Sequence, residues 1–200
     1  MVMALQRGDG GVVWQKTMIE QAPQAGTHAD GSWASGSPIT DGELLYVYFG
    51  SYGLYALTLD GEQKWSKSLG TFKTKANFGE GVSPVLSGGW LYYTKSNDGF
   101  LTCVDAATGQ VQYGNKLEGT PAVFASPIAA GGRLYVPGKN GLTTVLKLGP
   151  KFDVLATNKV DEVIIASPAA VGNSIFLRGD KSLYCIEGQP ATGGVAPATK

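Results

Sequence analysis

The apolar positions of this chain come in short runs of strand length, and the breaks between the runs are built from Gly, Asp, Asn and Ser. From Ser37 the order is SPIT, a break at Asp41-Gly42, LLYVYF, a break from Gly50 to Gly53, LYALTL, a break at Asp60-Gly61, and finally QKWSKSL. Glycine supplies positive φ and aspartate caps its own backbone, so each break carries turn chemistry. The frame then returns at Ser83, Ser126 and Ser167, each time opened by Ser-Pro. Five places after each Ser stand Gly42, Gly88, Gly131 and Gly172, and nine places after stand Tyr46, Tyr92, Tyr135 and Phe176. The steps of 46, 43 and 41 residues between the serines define an internal repeat.

One repeat reads as four short antiparallel strands, A to D. The repeat from Ser83 fits the same frame, with turns at Gly88-Gly89, Asn97-Asp98-Gly99 and Ala107-Thr108-Gly109. Four strands recurring at about this length predict an all-β fold, a β-propeller of four-stranded antiparallel blades. A blade cannot cover both its faces alone, so repetition lets each bury its apolar faces on its neighbours. The Pro of Ser-Pro fits the start of strand A, where no ladder hydrogen bond needs its missing N–H.

Composition agrees and narrows the function classes. With 43% hydrophobic residues in 200, the chain can bury a real core, while 29 Gly and 10 Pro are too many for a helical protein. Lys plus Arg equals Asp plus Glu at 16 each, which leaves no basic face for phosphate, so nucleic acid is not an expected partner. No run of eighteen apolar residues is present and no charged-then-apolar leader opens the sequence, so neither a membrane span nor a signal peptide is visible.

Strand D carries an aromatic: Trp14, Trp65 and Tyr113, preceded by RGDGGVV, LDGEQK and DAATGQVQ. The stretch from Asp105 to Tyr113 fits D-A-x-T-G-x-x-x-[W/Y], which resembles the pyrroloquinoline-quinone (PQQ) type propeller repeat. The resemblance runs from residue 1 to about 187 and implies that this aromatic docks on the next blade. In the repeat from Ser126 the aromatic is read as replaced by Val154. The blade bounds expected are a partial blade 1–19, blades 33–69, 79–117 and 122–160, an incomplete blade 164–187, and a disordered tail 188–200. Residues before Ser37 read as strands C and D alone, so the chain is expected to start inside a blade, and the resemblance implies a parent of seven or eight blades. A competing reading closes four blades on themselves, with the Trp14 strand pairing to the Cys185 strand.

The resemblance implies two functions. One is a non-catalytic scaffold or protein-binding module with no cofactor, similar to the propeller lipoprotein of the bacterial outer-membrane assembly machinery and placed in the cell envelope. The other is a fragment of a quinoprotein dehydrogenase holding PQQ and calcium. Such enzymes often carry a vicinal disulfide, which is absent. Cys103 and Cys185 fall at one equivalent place in strand C, beside Ala4 and Ala56 of other repeats, and are expected to be reduced and buried. Asp41, Asp60, Asp98 and Asp105 read as turn residues, and His28 has no partner at triad or zinc spacing, so no catalytic or metal constellation is expected.

What varies between repeats is the link from strand D into the next strand A. It is long at residues 20–35 and 70–82 and short at 118–125 and 161–166. Both long links emerge on one face of the disc and carry His28, Trp33, Lys73, Lys75, Asn77, Phe78 and Glu80, a mixture suited to recognising a protein. The alternative is that Trp33 and Phe78 plug the mouth of the central channel.

Overall fold

The structure, a computed structural model, describes residues 1–21, 36–68, 82–95 and 98–188. Its strands form five antiparallel sheets. The first pairs β1 (Val2–Leu5) with β2 (Val12–Lys16). The second runs β3 (Ile39–Thr40), β4 (Leu44–Tyr48), β5 (Leu54–Thr58) and β6 (Gln63–Lys67), in that spatial order. The third holds β7 (Val85–Ser87), β8 (Trp90–Lys95), β9 (Phe100–Asp105) and β10 (Val111–Lys116). The fourth holds β11 (Ile128–Ala130), β12 (Arg133–Pro137), β13 (Leu142–Lys147) and β14 (Val154–Lys159). The last has three strands, β15 (Ala169–Val171), β16 (Ser174–Arg178) and β17 (Leu183–Glu187). This is the all-β partial propeller the repeat predicts, and the only helix among the described residues is a 3-10 turn at Gly50–Tyr52.

The turns form for the reasons the sequence suggests. Gly42, Gly88, Gly131 and Gly172 all have positive φ, from 55° to 96°. At the first of these turns an Asp41 carboxylate oxygen accepts from the N–H groups of Glu43 and Leu44 at 2.9 and 2.7 Å, and its other oxygen takes the Tyr46 hydroxyl at 2.8 Å. The Leu44 amide, ahead of the other donors, holds the Asp41 carboxyl below its ordinary range.

Strand alternation splits each blade into a face toward the preceding blade and a face toward the next. Tyr46, Tyr48, Leu54 and Ala56 pack on Leu91, Tyr93, Val104 and Ala106 of the following sheet. Tyr92, Leu101, Cys103 and Tyr113 pack in turn on Leu134, Val136 and Leu146. Leu57, Leu91 and Leu146 are fully buried, each contributing about 1.5–3 kcal/mol of hydrophobic stabilisation. The core of this fold is therefore a series of interblade layers.

Two further connections fix blade to blade. The inner strands β3, β7, β11 and β15 lie side by side, and their Ser-Pro serines form a ladder. The Ser37 N–H donates to Ser83 Oγ at 3.0 Å, the Ser83 N–H to Ser126 Oγ at 3.0 Å, and the Ser126 N–H to Ser167 Oγ at 2.9 Å. At the outer edge, Trp14 Nε1 donates to the Leu59 carbonyl at 2.8 Å and Trp65 Nε1 to the Ala106 carbonyl at 3.0 Å. The Trp14 ring rests on Gly61 and the Trp65 ring on Gly109. Tyr113 makes the third such contact, edge-on to Phe152 with centroids 5.5 Å apart.

The register corrects the reading of Val154. Trp14 stands opposite Ala4, Trp65 opposite Ala56 and Tyr113 opposite Cys103, each followed across the ladder by an irregularity. In the fourth sheet the residue opposite the equivalent Val145 is Ala156, while Val154 pairs with Leu146. All four of these sheets share the bulge, but the turn from Leu146 to Val154 is one or two residues longer than those from Leu5 to Val12, Leu57 to Gln63 and Val104 to Val111, which carries the equivalent place on to Ala156.

The competing closure is not what forms, since β2 pairs with β1 and packs by Trp14 on the second blade. The cysteine expectation holds for one residue only. Both thiols are free, but Cys103 is buried and Cys185 is exposed. They do occupy equivalent places, opposite Tyr92 and Phe176. Cys103 is covered by the blade after its own, and among the described residues no blade follows that of Cys185. The tail expected from 188 lies outside the described residues except for Gly188.

Candidate functional site

In an antiparallel blade the B–C turns and the D-to-A links emerge on the same side. All seven residues that the sequence points to on that side, His28, Trp33, Lys73, Lys75, Asn77, Phe78 and Glu80, lie outside the described residues. The described part of this face consists of the two short links and the B–C turns beside them.

These segments are tied to each other across blades. The Lys139 N–H, in the B–C turn of the fourth blade, donates to the Ala122 carbonyl at 2.8 Å, and the Lys139 carbonyl accepts from the Ile164 N–H at 3.1 Å. Asn140 Nδ2 donates to the Gly119 carbonyl at 2.9 Å, and Lys139 Nζ lies 5.0 Å from the centre of the Phe124 ring. An amide side chain and an ammonium group in one turn thus fasten the preceding link from both sides.

The tightest feature is built around Glu162. One carboxylate oxygen accepts from the Ser182 hydroxyl at 2.6 Å and the Tyr184 hydroxyl at 2.8 Å, and the other from the N–H groups of Lys181 and Ser182 at 2.8 and 3.1 Å. Four donors hold the charged form, so the carboxyl is drawn down to about 2, with the Ser182 hydroxyl as the largest cause and the Lys181 amide next. Gly179 belongs to the same arrangement, because a Cβ there would collide with the Glu162 side chain. Nothing in the spacing of the sequence marks this clasp, since its parts are 19 to 22 residues apart and Glu162 stands in a plain link. The legible signal was only that this link is short.

Beside the clasp lies a cleft of about 230 Å³ between Val163, Ile165 and Ala166 of the link and Arg178, Gly179 and Asp180 of the turn. Pockets for small ligands run to roughly 300–1,000 Å³, so this cleft is a surface notch rather than a cofactor cavity. Ile165 is 56% exposed at its edge. Arg178 reaches the Asp180 carbonyl at 3.3 Å.

Three of the described carboxylates that sequence reading assigned to turns, Asp41, Asp98 and Asp105, are engaged there. Asp105 Oδ1 accepts from the Thr108 N–H and hydroxyl at 2.8 and 2.9 Å, and Asp98 Oδ1 from the Phe100 N–H at 3.0 Å. Among the described residues no three His, Cys, Asp or Glu side chains converge as a metal site would require. These carboxylates do not fit the calcium-bound quinone site that the PQQ-type resemblance brings to mind. Also among the described residues, no helix is long and apolar enough to cross a membrane.

Comparison with solved structures places the same architecture in three settings. BamB from Moraxella catarrhalis aligns with a TM-score of 0.50 and 13% identity over 88% of this chain and 63% of that one. The chain thus spans under two thirds of that protein's length. The computationally designed Ika4 protein aligns with a TM-score of 0.59 and 10% identity over 83% of this chain and 99% of its own. The quinohemoprotein alcohol dehydrogenase ADHIIG from Pseudomonas putida HK5 aligns with a TM-score of 0.56 and 14% identity, over 72% of this chain and 28% of that enzyme. At such identities the likeness is one of fold. No curated protein matches the chain in sequence. Residues 1–75 and 60–151 match the family described as outer membrane protein assembly factor BamB, and the chain, a PQQ-like propeller repeat protein, belongs to that family.

Proposed function

We propose that this chain is a non-catalytic propeller that binds another protein through the face carrying its D-to-A links, and that it works in the bacterial cell envelope. The observation that carries the reading is the construction of that face. Its described links are fastened by Lys139, Asn140 and Glu162, so they present fixed surface without assembling reactive groups. A rigid scaffold with loops held in place is what recognition needs, because little ordering entropy is then lost on binding. Membership of a family named for outer-membrane assembly supports the envelope and a protein partner.

Within this reading the long links contribute Trp33 and Phe78 as apolar anchors, with His28, Lys73, Lys75, Asn77 and Glu80 as the polar rim. No cofactor is required. The test is capture of proteins from a bacterial envelope extract by the full chain and by a Trp33→Ser, Phe78→Ser double variant. Loss of the captured partner with an unchanged melting temperature supports the face. Equal capture by both proteins rejects it. The dehydrogenase reading is tested in parallel by adding PQQ and calcium, where a bound-quinone spectrum with dye-linked alcohol oxidation would overturn the non-catalytic assignment.

A further inference from the structure

Three buried hydroxyls enter one end of the layer between the third and fourth blades. Thr94, Thr120 and Thr144 are 1%, 2% and 3% exposed, and among the described residues none of their hydroxyls has a hydrogen-bond partner. A buried hydroxyl left unpaired keeps the full penalty of its desolvation, so three in one layer call for something that pairs with them.

Their places follow from the register. Thr94 stands two residues past Tyr92 on β8, so by strand alternation it faces the fourth blade as Tyr92 does. Thr144 stands opposite Val136 and two residues before Leu146, so it faces the third blade as they do. The pairs Thr94 with Leu101 and Val136 with Thr144 are each one rung from the B–C turn of their blade. Thr120, in the link that joins the two blades, closes this end of the layer, with its carbonyl against Gly99 and its methyl against Gly138 of those two turns. Gly138 does not have a positive φ, so it is the Thr120 methyl, 2.7 Å from where a Cβ would stand, that requires glycine there.

Comparison between repeats shows that this level of the layer is lightly filled. Eleven places after the Ser of Ser-Pro stand Tyr48 in the second blade and Thr94 in the third, and ten places after it stand Tyr93 in the third blade and Val136 in the fourth. Between the second and third blades the two places hold facing rings, Tyr48 and Tyr93, with centroids 5.7 Å apart. Between the third and fourth blades the same two places hold only Thr94 and Val136. The link adds Leu117 and Val123 to this layer, and neither side chain can pair with a hydroxyl.

We propose that Thr94, Thr120 and Thr144 form an internal hydration site, in which an ordered water pairs with the three hydroxyls and ties the short link to both blades. Each hydroxyl both donates and accepts, and three of them supply the two to four polar partners that a buried water needs. The site lies beneath the link, between the blades, so it stands or falls independently of the reading above.

Valine has the shape of threonine with a methyl in place of the hydroxyl, so Thr94→Val, Thr144→Val and the double variant of the full chain test the site by the sign of their effect. With a water in place, each single variant removes one of its partners and is expected to lower the melting temperature by about 2–4 °C. The double variant is expected to lose less than the sum of the two, because one water is lost once. Without a water, each change replaces an unpaired hydroxyl by a methyl and the melting temperature rises. Oxygen-17 relaxation dispersion of the solvent gives a second readout that does not rest on stability. The parent chain is expected to show one more long-lived internal water than the double variant. A melting temperature that rises or stays level in either single variant, or equal dispersion from parent and double variant, overturns the proposal.

Discussion

Trp65 of the second blade lies flat against Gly109 of the third, and its indole N–H donates to the Ala106 carbonyl at 3.0 Å. A Cβ on Gly109 would stand 2.7 Å from the ring, and its φ of +71° already disfavours any other residue. Two causes therefore act against Gly109→Ala, the left-handed backbone and the collision, and the expected cost is about 2–4 kcal/mol. Trp65→Ala, which removes a half-buried indole, is expected to cost about 2–4 kcal/mol. In the Trp65→Ala background Gly109→Ala retains only the backbone cost of about 1–2 kcal/mol, because nothing remains to collide with. Denaturant unfolding of the four proteins of the cycle checks this. Strict additivity would show that the ring does not rest on the glycine.

The serine ladder gives a graded prediction. Ser126→Ala leaves the Ser83 N–H without its acceptor in a part-buried place, and is expected to cost about 1–2 kcal/mol. Ser167→Ala does the same to the Ser126 N–H where water can reach it, so its cost is expected to stay below about 1 kcal/mol. Urea midpoints of the two variants check the order, and a larger loss for Ser167→Ala would contradict it.

The two links between blades differ in how far the sequence disclosed them. The aromatic contact was legible because Trp14, Trp65 and Tyr113 are large, rare and regularly placed, and the glycines under the two Trp rings stand in recognisable turns. The ladder was visible only as a recurring Ser-Pro. Strand position accounts for the Pro, but the partner of each serine is the next serine, more than forty residues away. Ala156 was missed for a different reason. Counting along the chain assumes a turn of constant length, and the turn after Leu146 is one or two residues longer than in the other blades, so Val154 was set against the wrong neighbours across the ladder. Cys185 was misjudged because equivalence within a blade says nothing of whether a next blade covers it. The Glu162 clasp left no mark in the sequence at all, since a carboxylate saturated by four donors looks there like any surface glutamate.

Glu162 makes the last blade acid-sensitive. Its carboxyl has an ordinary value of 4.5 and is drawn down to about 2, chiefly by the Ser182 hydroxyl and the Lys181 amide. A group depressed in the folded state stabilises fully above its unfolded value and ceases to do so as pH falls through the folded one. The protection of the Lys181 and Ser182 amides against hydrogen exchange, taken relative to their intrinsic rates at each pH, is therefore expected to fall between pH 4.5 and about 2. Glu162→Gln is expected to exchange faster at neutral pH and to lose that dependence. Unchanged exchange in Glu162→Gln would show that the clasp is not formed in solution.

The two cysteines are expected to react in two stages. Cys185 is exposed and titrates at once with a thiol reagent, whereas Cys103 is fully buried, its thiol pushed up to about 12 by burial, and reacts only on unfolding. One equivalent released in native buffer and a second in denaturant is the expected count. Two native equivalents would show that the layer between the third and fourth blades is open.

Ala156 stands where three other blades carry an aromatic, and every residue of β14 is exposed. The interface it borders is also thin, with Ala125, Ile164 and Leu177 as its buried core. A tryptophan here would find one partner in the equivalent place. The carbonyls taken by Trp14 and Trp65 lie three residues past Ala56 and Cys103, and the same step from Cys185 reaches Gly188. Ala156→Trp is therefore expected to fasten the last blade, adding about 1 kcal/mol by burying part of the indole over the layer. The effect is expected to be local, slowing amide exchange in β16 and β17 more than in β4 and β5. A melting temperature at or below that of the parent, with unchanged exchange in the last sheet, would mean that the aromatic is missing from this blade because nothing there receives it.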